Sequence, residues 1–369
     1  MNFIIINLLA KLMKKTVLFD RHEKLNAKIV DFAGFLMPVS YSSVNEEHLH
    51  VRNSVGVFDV SHMGEIEISG SKSLDLVQHI CSNDISKLKI GKAQYNCLTN
   101  EKGGIIDDLI VYRIETEKYL LIVNASNISK DWEWINKKNI EFKCIIVDLS
   151  NKLSLLAIQG PKAQELCQKF TSEDLSLLPN YSFIISSFAG IKDIIISKTG
   201  YTGSGGFELY IPNNNAINIW DTLFDSKEFD LKPIGLAARD TLRIEMGYCL
   251  YGNDINEETS PEEANLRWIT KVETSFIGHK IIENQIKKGS DRKLIGFKLI
   301  EKSIPRNGYE VFNIDNKLIG KVTSGTFSPV LKKGIGLAYI NSINLKDDLI
   351  YIKIRNNLSK AEIVKTPFI

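Results

Sequence analysis

The sequence predicts an α+β fold, because helical and strand patterns are mixed without the regular alternation of a parallel α/β sheet. Between residues 56 and 147, runs with a period of two and runs with helical spacing follow each other irregularly. After about Ser290 the chain changes to short β-prone runs separated by Gly, Asn and Pro, which predicts a separate small barrel or sandwich. A chain of 369 residues usually divides into two or three domains.

The first elements are predicted from their periodicity. EIEIS (65–69) alternates as a strand does, and LDLVQHI (74–80) has helical spacing. DDLIVYRI (107–114) and YLLIVNA (119–125) are again predicted as strands. These elements account for the mixed character of this part of the chain.

A buried strand and a helix follow in the middle of the chain. LSLLAIQG (153–160) is typical of a buried strand, and Pro161 is expected to open the next helix as a first-turn residue. The apolar stripe expected for that helix consists of Ala163, Leu166, Cys167 and Phe170.

TGYTGSGGFE (199–208) has four glycines in seven residues, which permits positive φ and close approach of the backbone to a ligand. It does not fit a nucleotide loop, because neither a Lys-Ser/Thr pair nor a helix follows Gly206. Instead the β-prone FELYI follows and ends at Pro212. The pattern indicates a hairpin or the wall of an active site, although an ordinary tight turn would have the same pattern.

GLAARDTLRIEMG (235–247) is predicted as a helix with Arg239 and Arg243 on one face, since they are four residues apart. Together with Glu208, it offers a carboxylate and guanidinium groups to one polar ligand. The β-prone runs predicted for the C-terminal part are KLIGFKLI, YEVFN, KLIGKVTSG, GIGLAYI, LIYIKI and KAEIVK.

The charge balance argues against nucleic acid or a membrane as a partner. Lys and Arg number 46 and Asp and Glu 44, a net charge of +2. The five cysteines form no CxxC pair, which argues against a disulfide framework and a thiolate zinc site and favours the cytoplasm. MNFIIINLLAKL at the N-terminus is apolar, but it is shorter than the ~18 to 20 residues of a membrane span and lacks the flanks of a signal peptide.

The glycine-rich segment and the Arg239 helix resemble the folate-binding signature of the aminomethyltransferase, or T-protein, family of the glycine cleavage system. The resemblance extends over nearly the whole chain, through VDFAGFLMPVSY (30–41), VGVFDVSHMGE (55–65), GKAQYNCLTNEKGGIIDDLIVY (91–112), LLAIQGPKAQ (155–164), LYGNDI (250–255) and GKVTSGTFSP (320–329). One residue departs from the pattern, since many family members have an acid where Ser204 stands.

The resemblance implies a three-domain cloverleaf. Its discontinuous first domain would be the folate-binding domain of residues 14–55 and 151–288, and residues 56–150 would form a ferredoxin-like second α+β domain. Residues 289–369 would form a C-terminal β-barrel or jelly-roll-like domain. Residues 1–13 would be an extension outside the family pattern, and we expect it to be dispensable.

The resemblance also implies a reaction. The family transfers the one-carbon unit of an aminomethyl group, carried on the dihydrolipoyl arm of the lipoylated carrier (H) protein, to tetrahydrofolate. Ammonia and methylene-tetrahydrofolate are released. Tetrahydrofolate is therefore the expected co-substrate, and neither a metal nor pyridoxal phosphate is expected.

The catalytic carboxylate is expected at the start of the strand DDLIVYRI. Neighbouring strand residues point to opposite faces, so only one of Asp107 and Asp108 is expected to face a given pocket. The family pattern selects Asp108 as the carboxylate on the pterin side that orients the reacting amine. Asp107 is the second candidate at this position.

The other site residues are expected to bind the folate. A carboxylate at Glu208 can accept from the amino group and ring NH of a pterin, and Arg239 matches the family's folate-contacting arginine. Arg243 is expected to be mainly structural, pairing with Asp240 or Glu245. The supporting positions are Met63, Tyr95, Asn124 and Tyr201.

The sequence lacks the signatures of several other functional classes. His48 and His50 have no HExxH frame, there is no GxSxG elbow, and His62 is not expected to act as a base. A folate-binding relative that assists iron–sulfur assembly would have a KGCYxGQE-type segment, which this sequence lacks. The folate-using part of a dimethylglycine or sarcosine oxidoreductase would need a flavin domain, and there is no GxGxxG unit. An unrelated interaction module remains the non-enzymatic alternative.

Overall fold

The computed structural model describes residues 13–341 and 348–369, so the expected extension lies outside the described residues except for Met13. The described chain divides into two compact units. The first unit contains residues 13–66, 125–129 and 148–239, and the second contains the remainder. Each unit is therefore assembled from several separate stretches of sequence.

Helices and strands alternate irregularly along the described chain. The strands are β1 (Lys14–Lys15), β2 (Lys28–Phe32), β3 (Phe35–Ser40), β4 (Val55–Asp59), β5 (Gly64–Ser69), β6 (Ala93–Thr99), β7 (Ile105–Glu115), β8 (Lys118–Val123), β9 (Ile145–Asp148), β10 (Leu153–Gln159), β11 (Phe183–Phe188), β12 (Ile191–Ser197), β13 (Gly206–Pro212), β14 (Leu231–Pro233), β15 (Arg292–Leu299), β16 (Glu310–Phe312), β17 (Leu318–Ser328), β18 (Lys333–Asn341), β19 (Leu349–Ile354) and β20 (Asn357–Val364). The α-helices are α1 (Phe19–Lys24), α2 (Val44–Asn53), α3 (Ser73–Ile80), α4 (Ile128–Asn139), α5 (Ala163–Gln168), α6 (Asn213–Asp225), α7 (Leu236–Glu245) and α8 (His279–Lys288).

The first unit is built on a six-stranded sheet with strand order β11-β12-β13-β10-β4-β14. Strand β10 lies inside the sheet and pairs antiparallel with both β13 and β4. This register places Glu208 of β13 between Ala157 of β10 and Ser197 of β12. A smaller sheet of order β1-β3-β2 belongs to the same unit.

The core of the first unit forms where helices cover this sheet. Helix α6 buries Ala216, Ile219, Trp220 and Leu223, which have the i, i+3, i+4, i+7 spacing of one helix face. They pack in one cluster with alternate sheet residues such as Phe207. The packing keeps β13, and therefore Glu208, at a fixed place in the sheet.

The second unit contains a five-stranded sheet of order β6-β7-β8-β5-β9. Strand β7 lies between β6 and β8 and pairs antiparallel with both. Cys97 of β6 is the register partner of Asp108, and the register shifts between Leu98 and Thr99, opposite the start of β7. The start of β7 is thus an irregular part of the ladder, and the two aspartates lie there.

A closed barrel completes the second unit. Its strand order is β15-β18-β17-β16-β19-β20, and β20 pairs with β15 to close it. Alternate residues of the strands fill the interior, including Phe297, Val311, Ala338 and Ile352. Closure leaves no open sheet edge, which explains why many short strands suffice here.

The α+β class and the C-terminal β-barrel are confirmed. One detail of the sequence prediction was wrong, because α5 begins at Ala163 and Pro161 lies two residues before it. A hydrogen bond from Ala163 N to Gly160 O forms a turn around Pro161 instead. The predicted stripe is buried at Ala163, Leu166 and Cys167, and Phe170 packs partly buried against the same core.

Candidate functional site

The turn that precedes Asp107 and Asp108 is tightly constrained. Asn100 Oδ1 accepts from the backbone N–H groups of Lys102 and Gly104, at 2.9 and 3.0 Å. A Cβ atom on Gly104 would lie 1.8 Å from the carbonyl oxygen of Glu257, so only glycine fits there. The turn therefore fixes where β7 begins and where the two aspartates lie.

Asp108 lies in a hydrogen-bond cluster with two of the predicted site residues. The Tyr95 hydroxyl donates to Asp108 Oδ2 at 2.8 Å, and Asn124 Nδ2 donates to Asp108 Oδ1 at 2.9 Å. Tyr95 comes from β6, Asp108 from β7, and Asn124 directly follows β8. Three neighbouring strands of one sheet thus bring these side chains together.

Asp107 belongs to the same cluster, which strand alternation does not predict. Asn124 donates through its backbone N–H to Asp107 Oδ2 and through Nδ2 to Asp107 Oδ1, both at 2.9 Å. Asp107 is fully buried, whereas Asp108 is half-buried. Asn124 reaches both carboxylates because it lies beyond the end of β8, and that only one of the two faces a given pocket stays a prediction.

Burial makes Asp108 a group that titrates near neutrality. It raises the pKa of Asp108 to about 7, with the charge of Asp107 as the second cause. The hydrogen bonds from Tyr95 and Asn124 act in the opposite direction but are outweighed. Burial also raises the pKa of Tyr95 well above its usual value, so Tyr95 stays protonated and donates. A carboxyl with this pKa can both hold and release a proton at physiological pH.

Glu208 is a buried carboxylate of the first unit. Its Oε2 accepts from Thr199 Oγ1 at 2.5 Å, and Thr199 in turn contacts Ser197 Oγ at 2.9 Å. Burial raises the pKa of Glu208, while Thr199 and the positive charge of Arg239 lower it. The chain of hydroxyl groups orients the carboxyl.

Arg239 lies over the ring of Tyr201, with its guanidinium carbon 4.3 Å from the ring centroid. This cation–π contact joins the glycine-rich segment to helix α7 within the first unit. Of the four predicted folate-binding residues in this unit, Glu208, Arg239 and Tyr201 are thus linked by contact or by charge. Their combination of a carboxylate, a cation and an aromatic ring suits a planar polar ligand.

The glycine-rich segment is shaped by the protein's own backbone. A Cβ on Gly206, which has φ +126, would lie 2.1 Å from the carbonyl oxygen of Ile158. Arg52 Nη1 donates to the Thr202 carbonyl at 2.5 Å and to Ser204 Oγ at 2.6 Å. The hydroxyl of Ser204, at the position where many family members have an acid, therefore accepts from Arg52.

Met63 and His62 lie at the end of a tight turn. Met63 is half-buried, and its N–H donates to the Val60 carbonyl at 3.1 Å. His62 is buried, with Phe32 edge-on at 5.3 Å between ring centroids. Burial and the charge of Arg239 lower the pKa of His62 to about 4, so it is neutral at physiological pH. His62 is therefore a neutral, enclosed imidazole, and its having no acid or base role stays a prediction.

Arg243 has a different environment from Arg239. It is almost fully buried and donates to Asp254 Oδ2 at 2.7 Å, to Ser324 Oγ at 2.8 Å and to the Tyr248 carbonyl at 2.7 Å. It also pairs with Asp240, one of the two acids named from the sequence. These bonds link helix α7 to the barrel strand β17, which is a structural role.

Two residues near Asp108 were missed in the sequence. Trp268 is 61% exposed, and its ring lies 6.0 Å from that of Tyr95, although sequence alone offers no reason to separate it from a core tryptophan. Asp131, in the first turn of α4, is fully buried and faces Asp107. Asp131 could have been named as a candidate from the sequence, because it is an acid within NISKDWEWI, the segment shortly after Asn124.

The second unit also has a surface cleft of about 860 Å³. It is lined by charged residues of both signs and by Trp134, and none of the predicted site residues is among them. Within the described ranges, no group of three or more His, Cys, Asp and Glu residues is arranged to hold a metal ion. Nor does that part of the chain contain a helix long and apolar enough to cross a membrane.

Comparison with known proteins places these residues in context. Residues 18–274 match the family model described as the GCVT N-terminal domain, and residues 292–369 match the glycine cleavage T-protein C-terminal barrel domain. A protein named aminomethyltransferase from Flavobacterium psychrophilum is 54% identical over 358 residues, covering 96% of this chain and 99% of that protein. Another from Phocaeicola vulgatus is 50% identical over 360 residues, with 96% and 99% coverage.

A solved structure has the same fold. The crystal structure of glycine cleavage system aminomethyltransferase T from Bartonella henselae superposes with a TM-score of 0.90 and 32% sequence identity. The match covers 97% of this chain and 98% of that one. Both the sequence and the fold therefore agree over almost the whole length.

Proposed function

Because the chain belongs to the glycine cleavage T-protein family, we infer that it is a tetrahydrofolate-dependent aminomethyltransferase. It transfers a one-carbon unit to tetrahydrofolate. The observation that carries this function is the agreement with proteins named aminomethyltransferase over 96% of the chain.

The donor of the one-carbon unit is the aminomethyl group on the dihydrolipoyl arm of the carrier (H) protein. Tetrahydrofolate supplies the nitrogen nucleophiles, so that the bonds of the carbon to sulfur and to the amine nitrogen are replaced and a thiol, ammonia and methylene-tetrahydrofolate result. The chain's own residues then have to orient the reactants and manage protons and charge.

Asp108 is the residue to which we assign the proton handling. Its pKa of about 7 lets the carboxylate accept a proton or stabilise a developing positive charge, and lets the acid return the proton. The hydroxyl of Tyr95 and the amide of Asn124 hold the two oxygens of Asp108 in place. Asp107 supports the cluster by orienting Asn124.

Glu208 and Arg239 are the residues to which we assign recognition of the folate. Thr199 holds Glu208 Oε2, and the carboxylate is directed to accept from the amino and ring NH groups of a pterin. Tyr201 and Arg239 supply an aromatic surface and a positive charge. Met63 adds apolar contact area in this unit, and Tyr95 offers aromatic contact area in the other.

We assign neither a metal nor pyridoxal phosphate to the protein, since the reaction as written requires neither. We place it in the cytoplasm. All five cysteines are free, and Cys81, Cys97, Cys167 and Cys249 are buried thiols, which suits a reducing compartment.

The direct test is ammonia release from aminomethylated carrier protein, measured with and without tetrahydrofolate. We expect release to depend strongly on tetrahydrofolate and methylene-tetrahydrofolate to form in equal amount. Binding of folate without transfer would instead identify a folate-binding relative and overturn the proposed enzyme.

A further inference from the structure

Asp131 is an ionisable group buried without a donor. It lies in the first turn of helix α4 and is fully buried. Neither of its carboxylate oxygens accepts a hydrogen bond from any donor in the described part of the chain. A buried carboxylate in this situation is strongly destabilised unless it is protonated.

The group next to Asp131 is Asp107, which lies within hydrogen-bonding reach. Asp107 is equally buried, but both of its oxygens accept hydrogen bonds from Asn124. Two adjacent buried carboxyl groups do not both ionise, so they hold one proton between them. The two N–H donors of Asn124 stabilise the ionised form of Asp107. The shared proton is therefore held by Asp131.

The other charged or titratable groups around Asp131 are Lys130, Asp108 and Tyr251. The Lys130 ammonium donates to the Tyr251 hydroxyl at 2.6 Å and lies 3.4 Å from Glu257. The polar contacts of the Lys130 ammonium are therefore made with groups other than Asp131. Burial raises the pKa of Asp131 to about 11, with the charge of Asp107 as the next cause and Lys130 acting in the opposite direction.

We propose that Asp131 is a positioning residue that stays protonated at neutral pH and donates its proton to Asp107, which fixes the orientation of the Asn124 amide toward Asp108. An ionised Asp107 accepts from the NH₂ end of Asn124 and excludes the flipped amide. Asn124 Nδ2 then donates to Asp108 Oδ1. The proposal rests on the proposed role of Asp108 and adds a residue to it.

The first test needs no activity. In the unfolded chain Asp131 loses its proton near the ordinary value of ~3.9, whereas the native protein keeps it to high pH. The native state therefore binds one proton more than the unfolded state between these values, and stability falls as the pH rises. Relative to Asp131→Asn, the unfolding constant of the natural protein should increase about tenfold per pH unit between pH 6 and 8.

Urea unfolding of both proteins at pH 6, 7 and 8 measures this difference. Glu133→Gln is the matched control, because it removes an exposed acid from the same helix and should leave the slope unchanged. Parallel pH dependences of the natural protein and Asp131→Asn would show that Asp131 is ionised in the native state and would overturn the proposal.

The second test concerns positioning. Asp131→Asn keeps an N–H donor for Asp107 and should retain kcat within about threefold, whereas Asp131→Leu removes the donor and should lower kcat by about tenfold or more with a smaller change in the KM for tetrahydrofolate. Full activity of a folded Asp131→Leu would refute the positioning role. An inactive natural protein would refute the proposed function instead, and the pH slope of unfolding would still decide whether the two carboxyls hold a proton.

Discussion

Asp107 and Asp108 are sequence neighbours with different surroundings. Asp107 is buried and accepts two hydrogen bonds from Asn124, whereas Asp108 is half-buried and shares its oxygens between Tyr95 and Asn124. The first arrangement holds the cluster together, and the second leaves a carboxyl that is available to a ligand. The two can be separated by experiment at the level of single residues.

Asp108→Asn should fold normally and lose about 100-fold or more in kcat, the usual loss when a positioned acid or base is removed. Asp107→Asn should lose less turnover but cost about 1 to 3 kcal/mol of stability, because the amide cannot accept both bonds from Asn124. Turnover and urea denaturation of both variants measure this contrast. Equal losses of turnover would contradict the assignment of Asp108.

The pH profile provides a separate check on Asp108. Its pKa is about 7 in the native protein, and in the proposed reaction the ionised form accepts a proton from the reacting amine. We expect kcat/KM to rise tenfold per pH unit below that value and to level off above it, a limb that Asp108→Asn should lack. The raised pKa also means that stability from this group is present below the unfolded pKa and is lost as the pH rises to about 7.

Glu208→Gln keeps the shape of the side chain and presents an amide NH₂ to the donors of the pterin. Tetrahydrofolate should then bind at least ~10-fold more weakly, which corresponds to a charge-assisted hydrogen bond of ~1.5 to 3 kcal/mol. Unliganded protein should melt at the same temperature or slightly higher, because burial raises the pKa of Glu208 and disfavours its charge. Calorimetric titration that finds equal affinities would move the pterin contact elsewhere.

Helix α7 contains two arginines to which we assign different roles, binding for one and stability for the other. Arg239 lies over Tyr201, while Arg243, one turn later, is buried among Asp254, Ser324 and the Tyr248 carbonyl. The helical spacing alone does not distinguish the two arginines, since both lie on one face of the helix. Their surroundings make them different.

Arg243→Leu should therefore destabilise the protein by about 3 to 5 kcal/mol, because it leaves the buried Asp254 without its cationic partner. Arg239→Leu is the matched variant on the same helix and should weaken tetrahydrofolate binding with little change in stability. Chemical denaturation and folate titration of both variants test this difference between the roles of the two arginines. A large stability loss from Arg239→Leu, with binding unchanged, would reverse the two roles.

At the scale of the whole molecule, two compact units carry the predicted site residues. Asp107, Asp108, Tyr95 and Asn124 belong to the second unit, and the remaining predicted residues belong to the first. The predicted division into three domains, with boundaries after residues 55, 150 and 288, stays a prediction. Each unit supplies an ordered hydrogen-bond cluster of its own.

A ligand that binds the native protein must stabilise it. Tetrahydrofolate at 100 times its dissociation constant should add about 2.7 kcal/mol to the free energy of unfolding. Thermal unfolding over a folate series measures the gain, and Glu208→Gln should require higher concentrations for the same gain. A natural protein whose melting temperature does not respond to tetrahydrofolate would contradict the binding assignment.

The sequence by itself was sufficient for the fold class, the C-terminal barrel and the family resemblance. Alternation and helical spacing are local properties, and they correctly predicted strands such as β7 and β13 and helices such as α3 and α7. Tyr95, Asp108 and Asn124 were also named from the sequence, and the structure brings them together.

Only the tertiary structure decided how these residues contact one another. Asn124 reaches both aspartates because it lies beyond the end of its strand, Arg243 is buried beside the barrel, and Asp131 faces Asp107 from a helix that starts after β8. These contacts join side chains that are distant in sequence, and the pKa of each carboxyl depends on the burial they create. Local periodicity contains no information about such burial, so the protonation of this cluster could be argued only from the folded chain.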